Sequence, residues 1–220
     1  MKIYAMSDIH GCYEEFLAAL SLIDLSEKDS MLILLGDYIH GGEGSYQVID
    51  KIIELQKQYK NRVLALMGNH EEWVIEQNHS ILDDGCDEGY DEVREEKYIN
   101  WMEKLPLYYF DGKRIFCHAG VEEEAGEDWE VGTADYVYIE KYPASIGKFC
   151  VDIIAGHIST ATITNDPKYR GIYFDGYSHY YIDGNVLGNG YIPILMVDTK
   201  TNKYYEITDY GKHEITNDLN

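Results

Sequence analysis

The sequence predicts an α/β fold, and three of its features carry this prediction. Short apolar runs alternate with segments of helical periodicity through the first third of the chain. Polar segments that contain glycine follow most of these apolar runs directly. The last quarter of the chain has short alternating runs and turn residues that are typical of strands. Since open α/β sheets bind ligands at the carboxyl ends of their strands, we expect the polar segments to share one edge.

The first five elements alternate between strand and helix. Apolar runs at Ile3–Met6, Met31–Leu35 and Val63–Met67 predict three strands, the second of them continuous enough to be buried on both faces. Apolar residues at helical spacing predict helices over Tyr13–Leu22 and Tyr46–Tyr59. This β-α-β-α-β order brings the loops after the three strands to one edge.

The rest of the chain is predicted to be an insert followed by short strands. A helix is predicted over Glu71–Gln77, and residues 78–105 are predicted to form an acidic, partly helical insert over the site. Six strands are then predicted, at Arg114–Cys117, Asp152–Ala155, Ile172–Phe174, Tyr180–Ile182, Ile192–Val197 and Lys203–Thr208. A chain of 220 residues can build one sizeable core, so we expect a single domain over residues 1–220 with the insert at about 78–105.

The chain carries a formal net charge of −22. Phosphate backbones and anionic membranes attract basic surfaces, so this charge argues against nucleic acid and membrane as partners. No apolar run reaches the length of a transmembrane helix, and the first residues are too short an apolar segment for a signal peptide. The four cysteines have no paired spacing, which favours reduced thiols. We therefore expect a cytoplasmic protein.

Five short segments supply carboxylate, imidazole and amide groups next to glycines: Asp8-Ile9-His10-Gly11, Gly36-Asp37, Gly68-Asn69-His70-Glu71, His118-Ala119-Gly120 and Gly156-His157. Hard oxygen and borderline nitrogen ligands on short loops at strand ends are what a two-metal hydrolytic site requires. A single segment of this kind carries little weight, but five in one chain predict a dinuclear metal centre.

The spacing of these residues gives each one a position in such a centre. Asp8 and His10 lie two apart on one loop and can reach one ion, and Asp37 can bridge two ions with its two oxygens. The amide oxygen of Asn69 and the imidazoles of His118 and His157 would complete the coordination of the second ion. Two ions about 3.5–4 Å apart would share a water or hydroxide as the nucleophile that attacks a phosphoester.

The residues beside these ligands are given other roles. His70 directly follows Asn69, and adjacent side chains on a tight loop point in different directions. We therefore predict that His70 is a general acid that protonates the leaving-group oxygen. Glu71 is interpreted as a first-turn acid that the helix dipole favours. Asp183 precedes a glycine and is interpreted as a turn residue.

In this order the segments resemble the signatures of the phosphoprotein phosphatase family of metallophosphoesterases. The family patterns are GDxHG, GDxVDRG and GNHE, followed by two later histidines beside glycine. The resemblance covers roughly residues 1–160. It is nearest to small bacterial and phage serine/threonine phosphatases and to symmetrical diadenosine tetraphosphatases.

This resemblance implies an α/β fold of the calcineurin-like kind, a sandwich of two mixed β-sheets flanked by helices. It also implies two divalent metal ions, with manganese as the leading candidate and iron, zinc, cobalt and nickel as alternatives. By the same resemblance, Asp8, His10 and Asp37 hold one ion. The other ion is held by Asp37 together with Asn69, His118 and His157.

One departure from the family concerns the partner of the acid histidine. The second signature normally ends in Asp-Arg-Gly, but it reads His40-Gly41-Gly42 here. In the family, this Asp usually pairs with the acid histidine. We expect His40 to replace it as the hydrogen-bond partner of His70, with Glu43 as an alternative.

A second departure concerns the arginines that normally clamp the phosphoryl group. The arginine of the second signature is replaced by Gly41. A further family arginine lies between the two late histidines, and the matching stretch here is Tyr138-Ile139-Glu140-Lys141. Lys141 and Arg170, together with tyrosine hydroxyls, remain as candidate substrate-binding groups.

The sequence therefore predicts a metal-dependent phosphomonoester hydrolase, with a dinuclear metal-bound hydroxide as nucleophile and His70 as general acid. The expected substrate is a phosphoserine or phosphothreonine of a protein, or a small phosphoester. One alternative is a hydrolase of dinucleoside polyphosphates. The other, favoured by the missing arginines, is a catalytically weak metal- or phosphate-binding module. An enzyme is preferred because His70 is present alongside every predicted ligand.

Overall fold

The fold is known from a computed structural model that describes residues 1–77, 79–82 and 89–216. Its strands are β1 Lys2–Met6, β2 Ser30–Leu34, β3 Val63–Ala65, β4 Tyr108–Phe110, β5 Arg114–Cys117, β6 Asp152–Ala155, β7 Tyr173–Phe174, β8 His179–Tyr181, β9 Ile194–Asp198, β10 Lys203–Thr208 and β11 Gly211–Glu214. Its α-helices are α1 Tyr13–Ser21, α2 Ser45–Tyr59, α3 Asn69–Gln77, α4 Glu92–Met102, α5 Trp129–Gly132, α6 Asp135–Glu140, α7 Thr160–Thr164 and α8 Val186–Asn189.

The strands form two mixed sheets, as the family resemblance implies. The first sheet has the order β11-β10-β9-β1-β2-β3, and the second has the order β4-β5-β6-β8-β7. In the first sheet β1, β2 and β3 are parallel, whereas β9 runs antiparallel to β1. In the second sheet β5, β6 and β8 are parallel. The carboxyl ends of β1, β2 and β3 therefore meet at one edge, as the alternation of strands and helices predicts.

The core between the sheets follows from the alternation of side chains along each strand. Ile3 and Ala5 of β1 belong to an apolar cluster that also contains Phe116 of β5 and Ile154 of β6. Tyr4 and Met6, which alternate with them along β1, belong to a second cluster that includes buried residues of α1 and α2. Each central strand is thus covered on both faces, which explains its continuous apolar sequence.

The helices α2 and α4 pack against each other beside the first sheet. Asp91 caps α4 by accepting hydrogen bonds from two backbone N–H groups of its first turn. The Tyr46 hydroxyl of α2 donates to Glu95 of α4 at 2.8 Å, and Arg94 forms an ion pair with Asp50 at 3.0 Å. These contacts hold the only helix described within residues 78–105, where 78 and 83–88 lie outside the described residues. The single-domain organisation with this insert remains a prediction.

Most predicted elements agree with the structure to within one or two residues, but three differences matter. The predicted strand Val63–Met67 ends at Ala65, and the helix predicted over Glu71–Gln77 begins at Asn69. The last quarter of the chain also contains the short helix α8, where only strands and turns are predicted. Over the described ranges, the helices are all too short or too polar to cross a bilayer.

Candidate metal centre

The loops after β1, β2 and β6 hold several non-glycine residues in left-handed backbone conformations. The φ angles are 54° at Asp8, 48° at His10, 56° at Asp37 and 64° at His157. Such angles are uncommon for residues with a Cβ atom, and they concentrate at functional sites. Gly68 is required nearby, because a Cβ atom there would collide with the Asp37 carboxylate. The strained backbone brings the side chains of separate loops together.

Backbone carbonyls orient two of the imidazoles. His10 Nδ1 donates to Ile39 O at 3.3 Å, and His118 Nδ1 donates to Leu35 O at 3.0 Å. This arrangement directs the Nε2 atoms toward the carboxylates. His10 Nε2 lies 3.7 Å from Asp37 Oδ2, and His118 Nε2 lies 3.4 Å from the same oxygen. Histidines that bind metals commonly have their second nitrogen fixed in this way.

The remaining predicted ligands converge on the same place. His118 Nε2 lies 3.0 Å and His157 Nδ1 lies 3.1 Å from Asn69 Oδ1. The carboxylate of Asp8 accepts the backbone N–H of His157 at 3.1 Å. Two donor groups can hold an ion, one of His10, Asp37 and His70 and the other of Asp8, Asp37 and His118. Asp37 belongs to both groups, the position that the sequence predicts for a bridging ligand.

The buried charges of this cluster are unbalanced. Burial raises the pKa of Asp8 to about 6, and the negative charge of Asp37 adds to the effect. Burial also acts against the cationic form of His118, but the carboxylates of Asp37 and Asp8 outweigh it and raise its pKa to about 9. A proton on His118 thus supplies positive charge beside the two buried carboxylates of Asp8 and Asp37. Divalent cations would supply the same charge, so the donor set fits a metal centre.

Glu71 has a different role from the one predicted. It is fully buried, and its carboxylate accepts backbone N–H groups of Asp37 at 2.8 Å, Tyr38 at 2.8 Å and Gly68 at 3.1 Å. The interpretation as a first-turn acid on the helix dipole is therefore wrong, because the side chain joins the loops after β2 and β3. Burial and the charge of Asp37 raise the pKa of Glu71 to about 7.

The two histidines with predicted catalytic roles are in contact. His40 Nδ1 lies 2.9 Å from His70 Nδ1, and His40 Nε2 lies 2.7 Å from the Ser80 carbonyl oxygen. Because a carbonyl only accepts, His40 Nε2 carries the proton and His40 Nδ1 accepts from His70. His70 Nε2 is left facing the cluster, 3.8 Å from Asp37 Oδ2. Burial lowers the pKa of His70 to about 4.

Comparison with known proteins identifies the family of this chain. Residues 1–190 match the calcineurin-like phosphoesterases. The chain belongs to the calcineurin-like phosphoesterase family. The predicted resemblance and the predicted fold class are therefore confirmed.

Individual relatives of this phosphoesterase chain carry several names. A symmetrical bis(5'-nucleosyl)-tetraphosphatase of Buchnera aphidicola is 31% identical over 146 residues, which are 64% of this chain and 50% of the relative. The chain thus spans about half the length of the curated relatives it matches. A cold-active protein tyrosine phosphatase has the same fold, with a TM-score of 0.68 and 16% identity over 100% of this chain and 80% of that one. A protein serine/threonine phosphatase of Saccharomyces cerevisiae has a TM-score of 0.67 and 14% identity over 98% and 79% of the two chains.

The predicted substrate-binding residues of this phosphoesterase chain do not line its candidate site. A cavity of about 450 Å³ is lined by His10, Asp37, Asn69, His70, Trp73, Glu140 and His157. The Lys141 ammonium group donates to Val121 O and pairs with Glu123 at 2.9 Å. Arg170 lies over the ring of Tyr191. Neither Lys141 nor Arg170 is a lining residue of the cavity among the described residues, so the geometry gives their predicted roles no support.

Three further residues near the cavity have no predicted role in the site. Trp73 packs on His70 with ring centroids 4.4 Å apart, and its indole N–H donates to Glu140 at 3.4 Å. Asp183, interpreted from sequence as a turn residue, is buried, and burial with the charge of Asp8 raises its pKa to about 7. It does form the predicted turn, since it accepts the backbone N–H of Asn185. In each case the position depends on contacts between segments that are distant in sequence, and local sequence patterns do not show such contacts.

Proposed function

We propose that this chain is a metal-dependent phosphomonoester hydrolase whose substrate is a phosphoserine or phosphothreonine side chain of a protein. One observation carries the proposal: Asp37 belongs to both donor groups, and His70 faces the same cavity. The residues proposed to hold two divalent ions are Asp8, His10, Asp37, Asn69, His118 and His157. When bound, such ions provide Lewis-acid catalysis and lower the pKa of water.

The proposed acid is positioned by a chain of hydrogen bonds. Ser80 O accepts from His40, and His40 accepts from His70, which fixes the tautomer of both rings. In this tautomer the proton of neutral His70 lies on Nδ1, so His70 acts as an acid only in its cationic form, with a second proton on Nε2 directed into the cavity toward a leaving-group oxygen. The Trp73 ring covers one face of His70 and limits its rotation. His40 thus takes the place of the carboxylate that orients the acid elsewhere in the family.

A second candidate function is hydrolysis of dinucleoside polyphosphates. Its support is the sequence similarity to the Buchnera aphidicola enzyme, whose name describes that activity. A third hypothesis is a metal- or phosphate-binding module with little turnover. Its support is the absence of arginine between His118 and His157. Manganese as the native metal and the cytoplasm as the location are part of the proposal.

The first experiment measures hydrolysis of p-nitrophenyl phosphate by metal-stripped protein, with and without added Mn²⁺. We expect Mn²⁺ to restore turnover, His10→Ala to abolish it and His70→Ala to lower it by about 100-fold. His213→Ala is the matched control, because His213 is exposed on β11. If the wild type binds two metal ions and is no faster than His70→Ala, the binding-module reading replaces the enzyme.

The second experiment separates the two enzyme candidates by substrate. Diadenosine tetraphosphate and a phosphothreonine peptide are compared at equal concentration, with products identified by chromatography. We expect the higher kcat/KM for the phosphopeptide. An alkyl leaving group needs a proton more than p-nitrophenolate does. His70→Ala should therefore slow hydrolysis of the phosphopeptide more strongly than hydrolysis of p-nitrophenyl phosphate. Faster cleavage of diadenosine tetraphosphate would transfer the proposal to the second candidate.

A further inference from the structure

A carboxylate stands in the cavity where the family resemblance expects a guanidinium. The family stretch reads much like Trp-Ile-Arg, so the resemblance places Glu140 of Tyr138-Ile139-Glu140 at the position of the arginine. Glu140 lines the cavity beside His10, His70 and His157. The substitution therefore reverses the sign of a charge at the substrate position. An arginine there would attract the outer oxygens of a phosphoryl group, whereas a glutamate repels them.

Contacts with neighbouring residues fix the position of the Glu140 carboxylate. Glu140 is the last residue of α6, and the Tyr138 carbonyl of the same helix accepts the Ala119 N–H at 2.7 Å. This bond ties α6 to the loop that carries His118. The Trp73 indole N–H reaches Glu140 Oε1 at 3.4 Å while its ring packs on His70. Glu140 is thus connected through a single side chain to the proposed acid.

The nearest cation does not neutralise Glu140. Lys141 follows it directly, but the Lys141 ammonium group pairs with Glu123 and donates to Val121 O. The cavity has neither lysine nor arginine among its lining residues in the described parts of the chain. Further carboxylates lie close to Glu140. Burial raises the pKa of Glu72, and the negative charges of Glu140, Glu76 and Asp135 raise it further.

The surface beyond His10 is acidic as well. A second cavity, of about 520 Å³, is lined by the helix-start residues Glu14 and Glu15 and by Glu43. Gly42, which lines it too, donates its N–H to His10 O at 2.7 Å, so the two cavities adjoin at the His10 loop. A substrate that extends along the His10 loop therefore meets further carboxylates in addition to Glu140.

We propose that Glu140, held in the cavity by the Trp73 indole, is a specificity residue that selects phosphorylated peptide segments with lysine or arginine next to the phosphorylated residue. The inference rests on the proposed function and names its substrate class. A basic side chain beside the phosphoryl group pairs with Glu140, while the phosphoryl group itself reaches the centre. A dinucleoside polyphosphate places further phosphates against the same carboxylates and is repelled.

The test compares three phosphothreonine peptides that differ only in the flanking residues, which are arginine, alanine or glutamate. Hydrolysis is measured with the Mn²⁺-loaded full chain, and the readout is the ratio of kcat/KM for the basic and the acidic peptide. We expect a ratio of about tenfold in the wild type, since several exposed charge pairs contribute a few-fold each. The ratio should shrink as ionic strength rises from about 0.05 M to about 0.5 M.

Variants of one residue then assign the preference to Glu140. Glu140→Gln keeps the shape and the acceptor for Trp73 but removes the charge, so the ratio should fall about fivefold. Glu140→Arg should invert the ratio. Glu96→Gln is the control, because Glu96 is exposed on α4 and lines a different surface cavity. It should leave the ratio at the wild-type value.

The outcomes separate the inference from the proposed function. Equal ratios in the wild type and Glu140→Gln overturn the inference, even if every peptide is hydrolysed. A preference for diadenosine tetraphosphate over the basic peptide overturns it too. If neither p-nitrophenyl phosphate nor any peptide is hydrolysed with Mn²⁺ present, the proposed function fails and the inference falls with it.

Discussion

Two clusters of histidines and carboxylates lie in this fold, and they balance their charge in opposite ways. In the closed cluster, His179 lies 2.7 Å from Asp175 and 3.1 Å from Glu123, and Lys141 pairs with Glu123 at 2.9 Å. In the open cluster of Asp8, Asp37, His10 and His118, the corresponding nitrogen–oxygen distances run from 3.4 to 3.9 Å. The closed cluster has a cation for each anion within contact, whereas the open cluster keeps its groups apart.

The ionisation of the two clusters reflects this difference. Burial opposes the ionised form of Glu123, but hydrogen bonds from His179, Ser145 and Lys141 outweigh it and lower the pKa of Glu123 to about 2. In the open cluster, burial raises the pKa of Asp8 to about 6. Burial also opposes the ionised form of Asp37, but His118, His10 and His70 outweigh it and lower its pKa. The compensation in the open cluster is therefore uneven, with Asp8 left the less compensated of the two. Buried histidine and acid alone therefore do not identify a site. A cluster whose charges are left uncompensated is the candidate for an ion from outside.

The largest expected effect separates the clusters by metal binding. Asp37→Asn should lower Mn²⁺-dependent hydrolysis by about 1,000-fold, because metal catalysis contributes several kcal/mol and each 1.4 kcal/mol is tenfold. Asp175→Asn makes the same chemical change in the closed cluster and should leave the Mn²⁺ stoichiometry unchanged. Calorimetric titration with Mn²⁺ and p-nitrophenyl phosphate kinetics measure both. Full Mn²⁺ binding by Asp37→Asn would remove the distinction between the clusters.

Stability should respond with opposite signs when one negative charge is removed from each cluster. Glu123→Gln leaves Lys141 without its charged partner and leaves His179 with Asp175 alone. It should lower the free energy of unfolding by about 3 kcal/mol. Asp8→Asn removes one of two like charges from the metal-free open cluster and should raise that free energy by about 1 kcal/mol. Urea unfolding in the presence of a chelator measures both. Loss of stability in Asp8→Asn equal to that in Glu123→Gln would mean that the open cluster is also internally compensated.

A smaller effect is expected from the residue that supports the open cluster from behind. Glu71→Gln replaces one acceptor oxygen by an N–H₂ group that must face the backbone N–H of Asp37, Tyr38 or Gly68. The loops after β2 and β3 then shift, and the affinity for Mn²⁺ should fall about 10- to 100-fold. The neighbouring variant Glu72→Gln serves as the control for metal affinity, since Glu72 is only half-buried. Unchanged affinity in Glu71→Gln would show that the loops hold their positions without the carboxylate.

The smallest effect is a pH dependence of stability from the closed cluster. Burial opposes the cationic form of His179, but Glu123 and Asp175 outweigh it and raise its pKa above 6.5. Its contribution to stability is therefore complete below pH 6.5 and is lost as the pH rises through the folded-state pKa. The difference in unfolding free energy between wild type and His179→Gln should be larger at about pH 6 than at about pH 9. His213→Gln, at an exposed position, should show no such change.

The sequence predicted that the proposed ligands lie close together where the signal was local. Asp8, Asp37 and Asn69 each follow an apolar run within a few residues, so the strand delivers the ligand and the pattern contains both. The parallel order of β1, β2 and β3 then brings them together without further information. His40 was predictable in the same way, because it occupies a known position in a short signature.

Other residues depended on contacts between distant parts of the chain. Glu71 binds backbone groups 33 and 34 residues away, and no local pattern records which N–H groups a buried carboxylate will meet. Glu140 lies on a helix of six residues, too short to show which side faces a cavity. Lys141 was a candidate because it is one of the few cations between His118 and His157, but no local pattern shows its ion pair with Glu123.

The pairing of β1 with β9 has a consequence for the order in which this molecule forms. Lys2 pairs with Asp198 and Ile3 with Val197, so the strand that leads to Asp8 and His10 gains its second neighbour from residues nearly 200 positions later. During synthesis β1 remains an open edge until that late segment has left the ribosome. Contacts of such long sequence separation slow folding. The surroundings of β1 are therefore complete only after β9 has been made, and ion capture by Asp8 and His10 follows that pairing.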